Sequence, residues 1–214
     1  QVKDCWWDEK KGCYGIILDR TGFFPEGGGQ YADSGRIHGI LVEDVQEKDN
    51  EVIHYMKESL AAGQKIQGWI DFPERFSKMQ QHTGEHIVSG LVHRYFGYDN
   101  VGFHLGKELV TMDFNGVFIK EQLMKIEQEA NEAVTANIAI KVEYPSREEL
   151  ERMDYRSKKE LAGQVRIVTV PGYDVCACCA PHVKYTGEIG IIRLVDAVKY
   201  KGGTRVTMVC GFRA

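Results

Sequence analysis

Through the first seventy positions, apolar and polar residues alternate with a period near two. Residues 14–18, 37–45, 51–56 and 65–72 are short β-branched or alternating runs, separated by glycine-rich or charged tips. That spacing predicts a small barrel or sandwich. At Pro73 the period changes. Over residues 74–96, Phe76, Met79, Ile87, Leu91 and Tyr95 recur at helical spacing, with Val88 and Val92 beside them. Pro73 suits a first helical turn, where its missing N–H costs little, and Gly97 suits the stop. A second helix is expected over 118–136. Strands are expected over 109–114, 138–144, 165–170, 189–195 and 205–209. Ser146 and Glu149 form a capping box that opens a short helix between them. The fold class is therefore α+β: a β unit over residues 1–72, then an α+β unit over residues 73–214.

Composition narrows the class further. The 214 residues are 43 % apolar and 27 % charged, which excludes disordered and collagen-like chains. No run approaches the ~18 apolar residues of a membrane span. The net charge of −4 excludes a general basic coat. The charge is uneven, however: residues 1–140 hold 14 Lys and Arg against 22 Asp and Glu, and residues 141–214 hold 13 against 9. A mildly basic last third can meet phosphates through Arg156, Lys158, Lys159, Lys184, Lys199, Lys201 and Arg205. Of the six cysteines, Cys176, Cys178 and Cys179 crowd into four positions. Adjacent cysteines suit no ordinary disulfide framework, so a reducing, cytoplasmic setting and a metal or reactive thiol are expected.

His82 and His86 lie four apart in the first helix, so their rings leave one face. In Cys178-Cys179-Ala180-Pro181-His182 a cysteine and a histidine are again four apart. Together the pairs offer a His3Cys set, which zinc takes tetrahedrally. Spacing favours Cys178, but Cys176 and Cys179 also lie near His182. With all four ligands bound the site is closed, structural or substrate-orienting; with one displaced, an activated water becomes available. Glu85 neighbours both helical histidines, as a base would. Its other reading is a solvent-facing or supporting group, since it lies roughly 100° from His86 around the helix.

The segment from Thr21 to Gln30 reads Thr-Gly-Phe-Phe-Pro-Glu-Gly-Gly-Gly-Gln. It is neither a P-loop nor a dinucleotide fingerprint. Gly27, Gly28 and Gly29 cost backbone entropy, so positive φ or a close approach is expected there. Thr21 and Gln30, at the two ends, are the candidates for ligand contact.

These three segments together resemble the alanyl-tRNA editing proteins of the AlaX family, whose paired half-sites also occur in the editing domains of alanyl- and threonyl-tRNA synthetases. The resemblance implies a small β-barrel joined to an α/β two-layer editing domain. It implies hydrolysis of mischarged tRNA(Ala) carrying serine or glycine, with Zn2+ held by His82, His86, Cys178 and His182. Thr21 and Gln30, with Gly27, Gly28 and Gly29, would face the amino-acid and ester end, and Asp174 is carried over as a substrate contact. Family members more often read Cys-Gly-Gly-Thr-His where this chain has Cys-Cys-Ala-Pro-His, so the loop between ligands is stiffer here. They also usually carry a strand before the position of Val2, and some a further domain beyond that of Ala214. This chain therefore reads as a fragment, with dimer contacts and part of the tRNA grip outside it.

Two other readings compete. His82-Thr83-Gly84-Glu85-His86 also fits the inverted zincin pattern of a metallopeptidase, which needs an acidic third ligand such as Glu148, Glu149 or Glu151. A non-catalytic, zinc-stabilised tRNA-binding module is the other.

Overall fold

A computed structural model describes residues 1–157 and 163–214. The chain divides into two compact units, Gln1–Phe76 and Ser77–Ala214.

The first unit is antiparallel. It contains β1 (Val2–Asp8), β2 (Cys13–Leu18), β3 (Gly35–Ile37), β4 (Ile40–Lys48), β5 (Glu51–Met56) and β6 (Gly68–Ile70). These pair in the order β1-β2-β5-β4-β3-β6. The expected closure into a barrel is not among the pairings of the described residues. Inward residues Val2, Ile16, Phe23, Ile37, Val42, Val45 and Met56 pack into one core with Leu60. The run expected over 37–45 is a hairpin rather than one strand. His38 and Gly39 both take positive φ, 52° and 84°, and a two-residue turn of that hand matches strand twist. Asp49 and Asn50 make the same kind of turn between β4 and β5, with φ of 52° and 63°. The segment 65–72 is strand only over β6, because the chain already enters a helix at Phe72.

That helix, α1 (Phe72–Phe96), carries Pro73 in its first turn and is buried almost continuously from Lys78 to Val92. In the second unit β7 (Asn100–Leu105) and β8 (Val110–Phe114) precede α2 (Lys120–Ala136). Asn137 ends α2 in the left-handed region, φ 49°. Then come β9 (Lys141–Glu143), the short α3 (Arg147–Leu150), β10 (Ile167–Val170), β11 (Asp174–Ala177), β12 (Ile192–Tyr200) and β13 (Gly203–Cys210). Ser146 caps α3 through the expected box. Two antiparallel sheets result, β12-β13-β8-β7 and β11-β10-β9. The architecture is thus mixed α and β, with antiparallel sheets and few helices. Residues 189–191 precede β12 rather than open it. The strands β1, β7 and β11 were not expected from the pattern. Among the described residues, no helix is long and apolar enough to cross a membrane.

Candidate metal centre

Helical spacing places His82 and His86 on one face of α1, with ring centroids 5.5 Å apart. Cys178 follows directly on β11. Arg166 holds its loop in place: Cys178 N–H donates to the Arg166 carbonyl (3.0 Å), and Arg166 Nη1 donates back to the carbonyls of Cys178 (2.7 Å) and Ala180 (3.0 Å). The thiol of Cys178 lies 3.5 Å from His82 Nε2 and 3.4 Å from His182 Nε2. The His86 and His182 rings meet edge to face at 4.5 Å. One ligand atom from each of His82, His86, Cys178 and His182 lies within 4.8 Å of all the others, so the group can hold a metal ion. Cys176 is buried in a separate grouping with His86 and Asp174, and Cys179 is exposed.

The ring orientations have identifiable causes. Thr83 donates its hydroxyl to the Met79 carbonyl (2.8 Å) and accepts from Val183 N–H (3.3 Å). Its remaining capacity is as an acceptor for His182 Nδ1–H, 3.1 Å away. That leaves His182 Nε2 bare and aimed at Cys178. Behind His86, Nδ1 lies 2.9 Å from Asp174 Oδ2, close enough for charge attraction although not aligned as a hydrogen bond. Arg156 grips the same carboxylate in bidentate fashion, at 2.7 and 2.9 Å. Asp174 reaches α1 because residue 90 is glycine: a Cβ there would strike the Tyr173 carbonyl and come within 2.9 Å of Asp174 Cβ.

The electrostatics follow the packing. Burial alone would raise the Cys178 thiol, but the charge of His82 and the close approach of the three imidazoles hold it well below its usual range. Burial also opposes charge on His86, yet Asp174 and Cys178 carry its pKa well above the ordinary histidine value. Burial and the neighbouring His86 push His182 down to about 4. Asp174 is pulled down by His86 and Arg156 against its own burial.

Residues 165–207 match the family model of the threonyl and alanyl tRNA synthetase second additional domain. Residues 8–74 match that of class II (A) tRNA synthetases. The chain is 33 % identical over 209 residues to the alanyl-tRNA editing protein AlaX-L of Pyrococcus horikoshii, covering 93 % of this chain and 52 % of that protein. It is 30 % identical to the alanyl-tRNA editing protein Aarsd1 of Danio rerio, over 96 % and 51 %. Against the alanyl-tRNA editing protein AlaX-M of Saccharolobus solfataricus, identity is 38 % over 89 % of this chain and 86 % of that protein. The chain belongs to the alanyl-tRNA editing protein family. It spans about half the length of the first two relatives.

In this member of the editing family, the glycine segment is a tight turn. Gly27 and Gln30 exchange backbone hydrogen bonds, both 3.0 Å, and Gly28 and Gly29 between them take φ of 59° and 83°. Asp33 ties the base of the loop, accepting from Phe24 N–H (2.6 Å) and from Arg75 Nε (2.8 Å). Arg75 also donates to the Gly22 carbonyl (2.7 Å). Thr21 is half-buried, and Gln30 is fully buried.

Several expected roles change. Asp174 is not open to a substrate: its side chain is 2 % exposed and taken up by Arg156 and His86. Arg156 is accordingly not available to phosphates. Arg205 pairs with Asp113 at 2.6 and 2.7 Å and stacks on Tyr200. Lys184, Lys199 and Lys201 are exposed, whereas Lys158 and Lys159 lie outside the described residues. Glu85 does not point to solvent: it accepts from Ser89 Oγ and Asn100 Nδ2, both at 2.7 Å. Glu148, Glu149 and Glu151 are exposed on or beside α3, and none belongs to the ligand group. The acidic third ligand that a metallopeptidase requires is therefore not supplied by them. Thr83, Asn100, Arg156 and Arg166 complete the centre, yet spacing marks none of them for that role; each acts across at least a dozen residues of chain, which local spacing does not register.

Proposed function

We propose that this chain hydrolyses the ester of mischarged tRNA(Ala) carrying serine or glycine, with zinc held by His82, His86, Cys178 and His182. The observation that carries the reading is the convergence of these four donors in a member of a family named for alanyl-tRNA editing. The spacing supports zinc. A tetrahedral ion with Zn–S near 2.3 Å and Zn–N near 2.0–2.1 Å sets sulfur and nitrogen ligands ~3.5 Å apart; the S···N distances here are 3.4 and 3.5 Å. Thiolate and imidazole donors also suit zinc better than magnesium or calcium. The six free cysteines fit a reducing, cytoplasmic setting.

When bound, zinc supplies Lewis acidity toward an oxygen or nitrogen of the substrate or a water. The chain's own residues do the rest. Thr83 holds the Nδ1 side of His182 by a hydrogen bond and Asp174 that of His86 by charge, which would leave the other nitrogen of each ring for an ion. Thr21, half-buried, contacts the amino-acid end of the ester, while Gln30, fully buried, closes the glycine turn through its backbone bonds with Gly27. A site built to hydrogen-bond the serine hydroxyl leaves a polar group unpaired against alanine, and such sites discriminate by up to ~10⁴–10⁵. Glu85 supports the helix face next to the ligands through Ser89 and Asn100. Lys184, Lys199 and Lys201 offer charge to tRNA phosphates.

The test is deacylation of Ser-, Gly- and Ala-tRNA(Ala) by the zinc-loaded protein, beside His82→Ala/His86→Ala. Loss of serine or glycine with alanine spared, abolished in the double variant, is expected. Tight tRNA binding without hydrolysis of any ester would overturn the reading in favour of a binding module.

A further inference from the structure

His54 lies on β5, is fully buried, and belongs to no motif. Its ring is fixed at both nitrogens. Nδ1 lies 3.1 Å from the Ile16 carbonyl on β2. A carbonyl only accepts, so Nδ1 carries the hydrogen. Burial pushes the His54 pKa down, which keeps the ring neutral near pH 7 and leaves Nε2 a bare acceptor. Nε2 lies 2.8 Å from Thr21 Oγ1, so the threonine hydroxyl donates to it. Thr21 Oγ1 also accepts from Phe23 N–H at 3.1 Å. Phe23 packs edge to face on the His54 ring at 5.4 Å, closing the arrangement.

A hydroxyl has one hydrogen and two lone pairs. At Thr21 the hydrogen goes to His54 and one lone pair to Phe23, so a single lone pair remains. We infer that His54 is a specificity-determining positioning residue: it makes the Thr21 hydroxyl an acceptor only, selecting acyl groups that bring a hydroxyl donor. Serine brings one; glycine and alanine do not. The inference rests on the editing reading above and narrows it to serine over glycine. Thr21 makes the contact, and His54 acts through it.

The experiment is a mutant cycle on the zinc-loaded protein. The ratio of kcat/KM for Ser-tRNA(Ala) to that for Gly-tRNA(Ala) is measured for wild type, His54→Met, Thr21→Val and the double variant. One neutral hydrogen bond predicts a roughly 3- to 10-fold fall in the ratio for His54→Met. In the Thr21→Val background the same change is expected to leave the ratio unmoved, which a general loosening of the fold would not do. An unmoved ratio in folded His54→Met, or an equal fall in both backgrounds, overturns the proposal while leaving editing intact. A wild type that hydrolyses neither ester overturns the editing reading and this proposal with it. Should His54→Met not fold, nitrogen NMR of the wild-type imidazole decides the matter: hydrogen on Nδ1 with bare Nε2 is expected, and hydrogen on Nε2 overturns the proposal.

Discussion

Asp174→Asn isolates what orients the metal ligands. The carboxylate lies 2.9 Å from His86 Nδ1 and is held from behind by Arg156. It touches no other member of the four-donor group. Its expected effect on metal affinity therefore runs through His86 alone. Asparagine keeps the shape but not the charge, and its amide nitrogen can donate to Nδ1. That exchange would favour the tautomer with hydrogen on Nε2, the atom that would have to bind the metal. Losing such a carboxylate partner costs about 10- to 100-fold in metal affinity, equivalent to about 1.4–2.7 kcal/mol. The assay is competition for zinc with a chromophoric chelator at fixed pH, giving Kd for wild type and variant.

Fold and ligand effects can be separated in this test. Removing one partner of a buried ion pair destabilises by about 3–5 kcal/mol when nothing replaces it. Here the Arg156 side chain keeps 15 % exposure and asparagine still offers an oxygen, so a smaller loss and a folded protein are expected. Arg156→Gln serves as the partner variant. It damages the same ion pair but leaves the Asp174 carboxylate beside His86, so zinc Kd is expected to move by less than in Asp174→Asn. A folded Asp174→Asn protein with Kd within about twofold of wild type would refute the orientation argument. So would an Arg156→Gln variant that weakens zinc binding equally.

Three further outcomes are expected. Gly90→Ala gains about 1 kcal/mol of helix propensity but drives a methyl into the Tyr173 carbonyl; overpacking costs about 1–3 kcal/mol, so thermal melts should show net destabilisation, and a stabilised variant would contradict the close approach. Cys178→Ala should abolish zinc retention through gel filtration, while Cys179→Ala should retain one zinc per chain by metal analysis. His54 has a folded pKa below its unfolded value of about 6.5, so the unfolded state binds more protons as pH drops; its stability contribution is complete above pH ~6.5 and lost as pH falls toward the folded pKa. Tm should therefore fall more steeply between pH 7 and 5 in wild type than in His54→Leu, and parallel slopes would refute the buried neutral ring.

How far the sequence reached depends on whether a signal was local. His82 with His86 and Cys178 with His182 are each four apart, and a short period survives in any fold that keeps the helix and the loop. The two long helices and most strands were likewise carried by local periodicity, and α3 by its capping box. The strands β1, β7 and β11 were not, because each mixes polar or glycine residues with a few inward ones. The 37–45 run misled for a related reason: His38 in a left-handed turn is a backbone choice that β-branched neighbours conceal. The glycine segment was legible as a backbone requirement, and Gly28 and Gly29 meet it with positive φ. The partners that choose a tautomer stayed hidden. Thr83 sits inside a recognised motif but acts on a histidine 99 positions away; His54 reaches Thr21 across 33. An atom that touches a metal must be one of few residue types, so the sequence advertises it. An atom that fixes a ring or a hydroxyl needs only one donor or acceptor, which half the residue types supply. Its identity is decided by which strands pair, and β2 pairing with β5 is what sets the Ile16 carbonyl opposite His54.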